Sequence, residues 1–164
     1  MNVFVLDRDP RKAAKMLCDK HVIKMCLETA QILSTAVLAQ LESLPIVKQA
    51  AAGSLYRATH AKHPCVIWAG ASRTNFDWLL EHGKAIADEY TFRYGKLHKS
   101  QAVIEAAEDH KHWLRPGPAT AFPLAMPDQY KTADCEQSYR AYYLGEKMHF
   151  AKWTKRATPE WTKP

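Results

Sequence analysis

The 164-residue sequence has no C-x-x-C pair, no H-E-x-x-H pattern, no internal repeat and no low-complexity tract. No run approaches the roughly 18 to 20 apolar residues of a membrane span. Each absence removes a class of protein. Cys18, Cys26, Cys65 and Cys135 are unpaired in spacing, and the first two fall within one helical pattern, so neither a zinc knuckle nor a disulfide framework is expected. The start, MNVFVLDRDP, lacks the basic region and long apolar core of an export signal. A cytoplasmic protein with reduced thiols and no membrane contact is the expectation. Among the eight histidines, His60 and His63 precede a helix. His110 and His112 point about 200° apart on another, so no metal centre is expected.

What is present suits one folded domain, 1–164, with a C-terminal tail from about 154. Apolar residues make up 47% and charged residues 24%, a globular balance. The net charge of +6, from 23 Lys and Arg against 17 Asp and Glu, and a pI near 9.1 favour a polyanionic partner.

The segment NVFVLD (2 to 7) is too short and apolar for an amphipathic helix and reads as a short strand or extended arm. Asp9-Pro10 is a helix start, and a helical pattern runs to about Leu41, bent near Cys18-Asp19, until SLPIVKQ ends it. From Pro64 to about Tyr94 apolar positions recur at helical intervals, in one helix or two in series. A third helix spans roughly Gln101 to Trp113. LRPGPATAFPLAMP is irregular because of its prolines, and a last helix runs from about Thr132 to Trp153. The expectation is all-α: a compact single domain of four to five helices with a short extended N-terminal arm.

The first long helix carries a polar stripe. With His21 at zero and about 100° per residue, Glu28 falls near −20°, Thr35 near −40°, Lys24 near −60° and Gln31 near −80°. Val22, Ile23, Cys26, Ala30, Leu33 and Val37 fall between roughly 100° and 200°, which predicts that side as the core face. A solvated face usually repeats Glu and Lys pairs; this mixture, flanked by Met25 and Ile32, suits a cleft wall instead. There Glu28 is a candidate general acid or base, with Lys24 one turn away favouring its ionised form.

Asp19-Lys20-His21, followed by Glu28 seven residues after the histidine, resembles the first helix of the phage endonuclease V type of pyrimidine dimer DNA glycosylase. KHPCVIWAGASRTNFDWLLEHGKAIADEYTFRYGK (62 to 96) resembles that family's central helix region, and ATPEWTKP (157 to 164) its Pro-x-Trp C-terminal segment. The resemblance implies a mostly helical enzyme that cleaves the glycosidic bond of a pyrimidine dimer, or of a modified pyrimidine, in duplex DNA and then nicks at the abasic site. An amine attacks the sugar C1′, a Schiff base forms, and β-elimination breaks the strand, with no cofactor. The family's carboxylate maps onto Glu28. As a class, α-amines titrate near 7.7 to 8.0 and are far more often neutral at pH 7 than lysines. The sequence departs from the pattern in having Met1 ahead of Asn2, several extra residues before Asp7-Arg8, and Leu27 and Gln31 where the family has arginines. Two amines are therefore candidates, that of Met1 and that of Lys24, which lies one turn from Glu28.

His21 is a further catalytic or phosphate-contacting candidate. For DNA, basic groups interleaved with aromatics are expected at Lys20, Arg8, Arg93, Lys96 and Lys99, and at Lys155, Arg156 and Trp161 in the tail. A monomer is expected. The rival readings are a non-catalytic nucleic-acid-binding protein on the same fold, and a nucleotide or modified-base enzyme using His21 and Glu28 as acid and base.

Overall fold

The computed structural model describes residues 1–163; Pro164, the end of the expected tail, lies outside them. Among the described residues there are seven α-helices, three short 3-10 turns and no strand, so the fold is all-α with more helices than the four to five expected.

Helix α1 (Pro10–Met16) starts where Asp9 accepts from the backbone N–H groups of Arg11 and Lys12, with Pro10 in the first turn. Leu17 and Cys18 are extended, and α2 (Asp19–Gln40) then begins, so the expected bend is a complete break. Two buried side chains hold it. The Tyr143 hydroxyl accepts from the Cys18 N–H at 2.9 Å. The Arg93 guanidinium donates to the carbonyls of Lys15 (3.1 Å) and Leu17 (2.9 Å) and to Asp19 Oδ1 (3.0 Å).

Helix α3 (Pro45–Ala52) lies in the SLPIVKQ stretch that was expected only to end a helix. Proline stops a helix that reaches it but is well suited to the first turn of the next, so one residue does both. Helices α4 (Pro64–Ala71) and α5 (Arg73–Tyr94) meet at Ser72, whose Oγ accepts from the Asn75 N–H at 3.2 Å. Gly95, at φ +68°, closes α5. Helix α6 (Gln101–Asp109) tightens into a 3-10 turn at Lys111–Trp113. Helix α7 (Cys135–Glu146) stops short of the expected Trp153. Beyond it the chain is captured by the start of α2: Asp19 N–H donates to the Lys152 carbonyl at 2.8 Å, and Thr154 donates its N–H and hydroxyl to the Asp19 carboxylate.

Helix α2 is the centre of the molecule and packs against α4, α5 and α6. Long and apolar enough to pass for a membrane span by composition, it is a core helix here, largely covered. Gly83 permits a close approach of α2 and α5, because a Cβ there would lie 2.7 Å from the Thr29 Cγ2. The arm is extended without a ladder. Val3, Phe4, Val5 and Leu6 are all buried, and the chain turns at Phe4 (φ 45°), where Leu6 N–H donates to the Phe4 carbonyl at 2.8 Å.

This burial reverses part of the expected helix wheel. Ile23, assigned to the core face, is 45% exposed, whereas His21, Glu28 and Thr35 on the polar stripe are buried. The arm and the segment after α3 lie over the stripe: Asn2 meets Glu28, and Thr35 Oγ1, which donates to the Gln31 carbonyl, accepts the Thr59 N–H at 3.1 Å.

Candidate active site

Glu28 sits on the third turn of α2 with a side chain only 10% exposed. Its Oε2 accepts the Asn2 backbone N–H at 2.9 Å and lies 3.8 Å from the Met1 amine; its Oε1 lies 3.5 Å from Lys24 Nζ. Two amines thus bracket one carboxylate. They differ in setting, since the Met1 side chain is buried while that of Lys24 is 67% exposed. The extra residues before Asp7-Arg8 do not hold the Met1 amine away: the arm turns at Phe4 and the amine lies 3.8 Å from Glu28 Oε2.

Asn2 is the residue that fixes this register, and nothing in the sequence singles it out. Its amide donates to the Ala125 carbonyl at 2.8 Å, and its Oδ1 accepts from the Tyr139 hydroxyl at 3.0 Å. The proline-rich loop and α7 therefore anchor the arm from the opposite end of the chain. Tyr139 and Tyr143, one turn apart on α7, both point into this region, a spacing visible in the sequence but uninformative without the arm.

His63 is a second residue that sequence reasoning passed over. It caps α4, with Nδ1 accepting from the Cys65 N–H at 3.2 Å, which leaves the ring proton on Nε2. Burial pushes its pKa below the ordinary value, the Met1 amine and His60 push the same way, and Glu28 opposes them. The neutral form is favoured, and the ring belongs electrostatically to the Glu28 site.

His21 is placed differently. It is stacked under Phe4 with ring centroids 4.4 Å apart, and its Nδ1 lies 2.7 Å from the Tyr143 hydroxyl. The same hydroxyl accepts from Cys18, so one tyrosine oxygen joins the ring to the α1–α2 break. Burial, with Lys147 and Lys24 nearby, pushes its pKa down to about 4.

The basic residues divide into two sets. Arg93 is wholly buried in ion pairs with Glu89 and Asp19. Arg156 pairs with Glu89 and lies over the Phe92 ring at 4.3 Å. Lys155 donates to the Phe92 carbonyl at 3.0 Å. Trp161 Nε1 points at the Met16 sulfur at 3.5 Å and packs edge-on to Tyr143. The tail is thus docked on the α1–α2 break. Arg8 is exposed but paired with Asp134 and Glu136. Lys20, Lys96 and Lys99 are exposed; Lys20 lies 4.9 Å over the Phe150 ring. No group of three or more His, Cys, Asp or Glu converges among the described residues.

The site is thus an amine pair around a nearly buried carboxylate on the central helix of a small basic all-α fold. The family model for pyrimidine dimer DNA glycosylases matches residues 1–102, and the chain belongs to that family. The match takes in the arm, Glu28, Lys24 and His63 and ends before the loop and α7 that anchor Asn2. No curated protein and no solved structure matches the chain.

Proposed function

We propose that the protein cleaves the glycosidic bond of a damaged pyrimidine in duplex DNA, a dimer first among candidates, and then nicks the strand as an abasic-site lyase. The observation that carries this is the bracketing of Glu28 by the Met1 amine at 3.8 Å and Lys24 Nζ at 3.5 Å, in a chain of the glycosylase family. The neutral amine attacks C1′ and the C1′–N bond breaks, the base leaving with the electron pair and taking up a proton. Opening of the sugar ring gives an imine, and loss of a C2′ proton expels the 3′ phosphate. Glu28 balances the positive charge that develops on the sugar and relays the protons.

Met1 is the nucleophile in this reading. Its amine is held by a buried, hydrogen-bonded arm, whereas the Lys24 side chain is largely exposed, and a fixed nucleophile needs no ordering at the moment of attack. Lys24 instead pairs with Glu28 Oε1 from the solvent side at 3.5 Å. His21, enclosed by Phe4 and Tyr143, has a structural role.

Borohydride trapping on duplex DNA with one abasic site tests the reading. A covalent adduct whose digest carries the DNA remnant on the Met1 peptide is the expected result. Salt-sensitive DNA binding without any adduct favours a non-catalytic DNA-binding protein, and neither binding nor adduct leaves the nucleotide-enzyme alternative.

A further inference from the structure

The exposed face of α2 beside Glu28 is unusual in composition. Its exposed positions from 20 to 27 are Lys20, Ile23, Lys24 and Leu27, and no carboxylate is among them. Ile23 is 45% and Leu27 41% exposed. Four residues apart on a helix, they are neighbours and form one apolar ridge. Leu27 also lines an open groove of about 480 Å³, whose far wall includes Tyr56, Arg57 and Thr59. Arg57 is exposed and makes no hydrogen bond or ion pair among the described residues. Scattered surface leucines need no explanation. Here, however, an apolar ridge adjoins the one nearly buried carboxylate that an amine approaches, with cations on both sides of it.

A sugar C1′ reaches a recessed carboxylate only if the duplex opens locally, and proteins hold such an opening with an apolar side chain inserted between base steps. We propose that Leu27, backed by Ile23, is the wedge that enters the stack at the opened step, while Lys20, Lys24 and Arg57 receive the flanking phosphates. This inference rests on the reading of the protein as a DNA glycosylase and goes beyond it in naming the contact that selects an opened step. Discrimination between distorted and intact duplex then comes from the cost of unstacking at Leu27. The phosphate contacts supply affinity without discrimination.

The test uses the full chain and two duplexes of one sequence, one intact and one with a single uncleavable tetrahydrofuran abasic analogue beside a 2-aminopurine. Wild-type protein is expected to raise the 2-aminopurine fluorescence on the analogue duplex. Leu27→Ala is expected to lose most of that rise and about tenfold in affinity for the same duplex, the scale of one buried leucine's apolar contact. Its binding to intact duplex and its salt dependence should be unchanged. Leu27→Lys should steepen the salt dependence by about one phosphate contact without restoring the fluorescence. Both variants should fold, since the position is exposed and Ala and Lys are good helix formers. A full fluorescence rise and full preference for the analogue duplex with Leu27→Ala overturn the wedge alone. A wild-type protein that binds neither duplex overturns the glycosylase reading and the wedge with it.

Discussion

The Asn2 backbone N–H donates to Glu28 Oε2 at 2.9 Å, and the same residue's side chain is held by the Tyr139 hydroxyl and the Ala125 carbonyl. One hydrogen bond therefore ties the first residues of the chain to the central helix, and two more tie both to its C-terminal part. The amine at Met1 owes its position to all three, which is why it lies 3.8 Å from a carboxylate that is twenty-seven positions further along the chain.

Glu28→Gln keeps the shape of the side chain and an oxygen able to accept the Asn2 N–H. Glycosidic cleavage should fall by more than the roughly 10²- to 10⁴-fold of one acid–base contribution. DNA affinity should hold or rise as a negative charge near the phosphates disappears. Single-turnover cleavage and equilibrium binding on the same duplex check both halves, and unchanged cleavage removes Glu28 from the mechanism.

The two amines are separable by length and by charge. A Gly-Ser extension ahead of Met1 should abolish borohydride trapping, because it moves the amine out of a closed arm. Lys24→Met should lower the trapping rate by less than about tenfold, the scale of one exposed ion pair. Trapping that survives the extension and vanishes with Lys24→Met would transfer the nucleophile's role to Lys24.

The basic residues should likewise sort into two kinds. Arg93→Ala leaves carbonyls and carboxylates around the α1–α2 break without their donor and should destabilise the fold by about 3 kcal/mol, read by urea denaturation. Replacing Lys96 and Lys99 by Ala should change stability by less than about 0.5 kcal/mol while making the dependence of DNA affinity on salt shallower. A normal urea midpoint for Arg93→Ala would contradict the clamp.

Stability should fall on the acid side of neutrality. His21 and His82 are both pushed down to about 4, chiefly by burial, from an ordinary 6.5. With the folded value below the unfolded one, the unfolded chain takes up protons first. The stability from the neutral rings is complete above about pH 6.5 and is lost as pH falls toward 4. The shift at His21 corresponds to roughly 3 kcal/mol. The melting temperature measured from pH 7.5 to 4.5 should decline, and His21→Gln should flatten the decline. An equally steep decline in the variant would show that His21 does not contribute.

Helix content was legible along the chain because capping and periodicity are local. Asp9-Pro10, the Pro64 start and the Gly95 stop depend on residues within a few positions of one another, whereas the full break at Cys18-Asp19, legible only as a bend, is held by Tyr143 and Arg93 from far along the chain. Helix α3 was not read, because a proline between two helices looks the same whether it ends the first or starts the second. The extent of α7 was not read either, since Asp19, 133 positions before Lys152, decides where the chain leaves that helix. The residue set of the site was half legible: spacing on one helix puts Lys24 and Glu28 together, and no spacing places Met1, Asn2 or His63 with them. Which face of α2 is covered was a tertiary matter as well. A wheel computes only angles, so it assigned Ile23 to the core and left the polar stripe open; the arm and the Thr59 segment closed over the stripe, and Ile23 and Leu27 were left at the surface. Sequence determined what each segment can become, through backbone preferences acting over a few residues. The tertiary structure decided which charges are buried and which amine meets Glu28, because burial and Coulomb interaction depend on distance in space and not on separation along the chain.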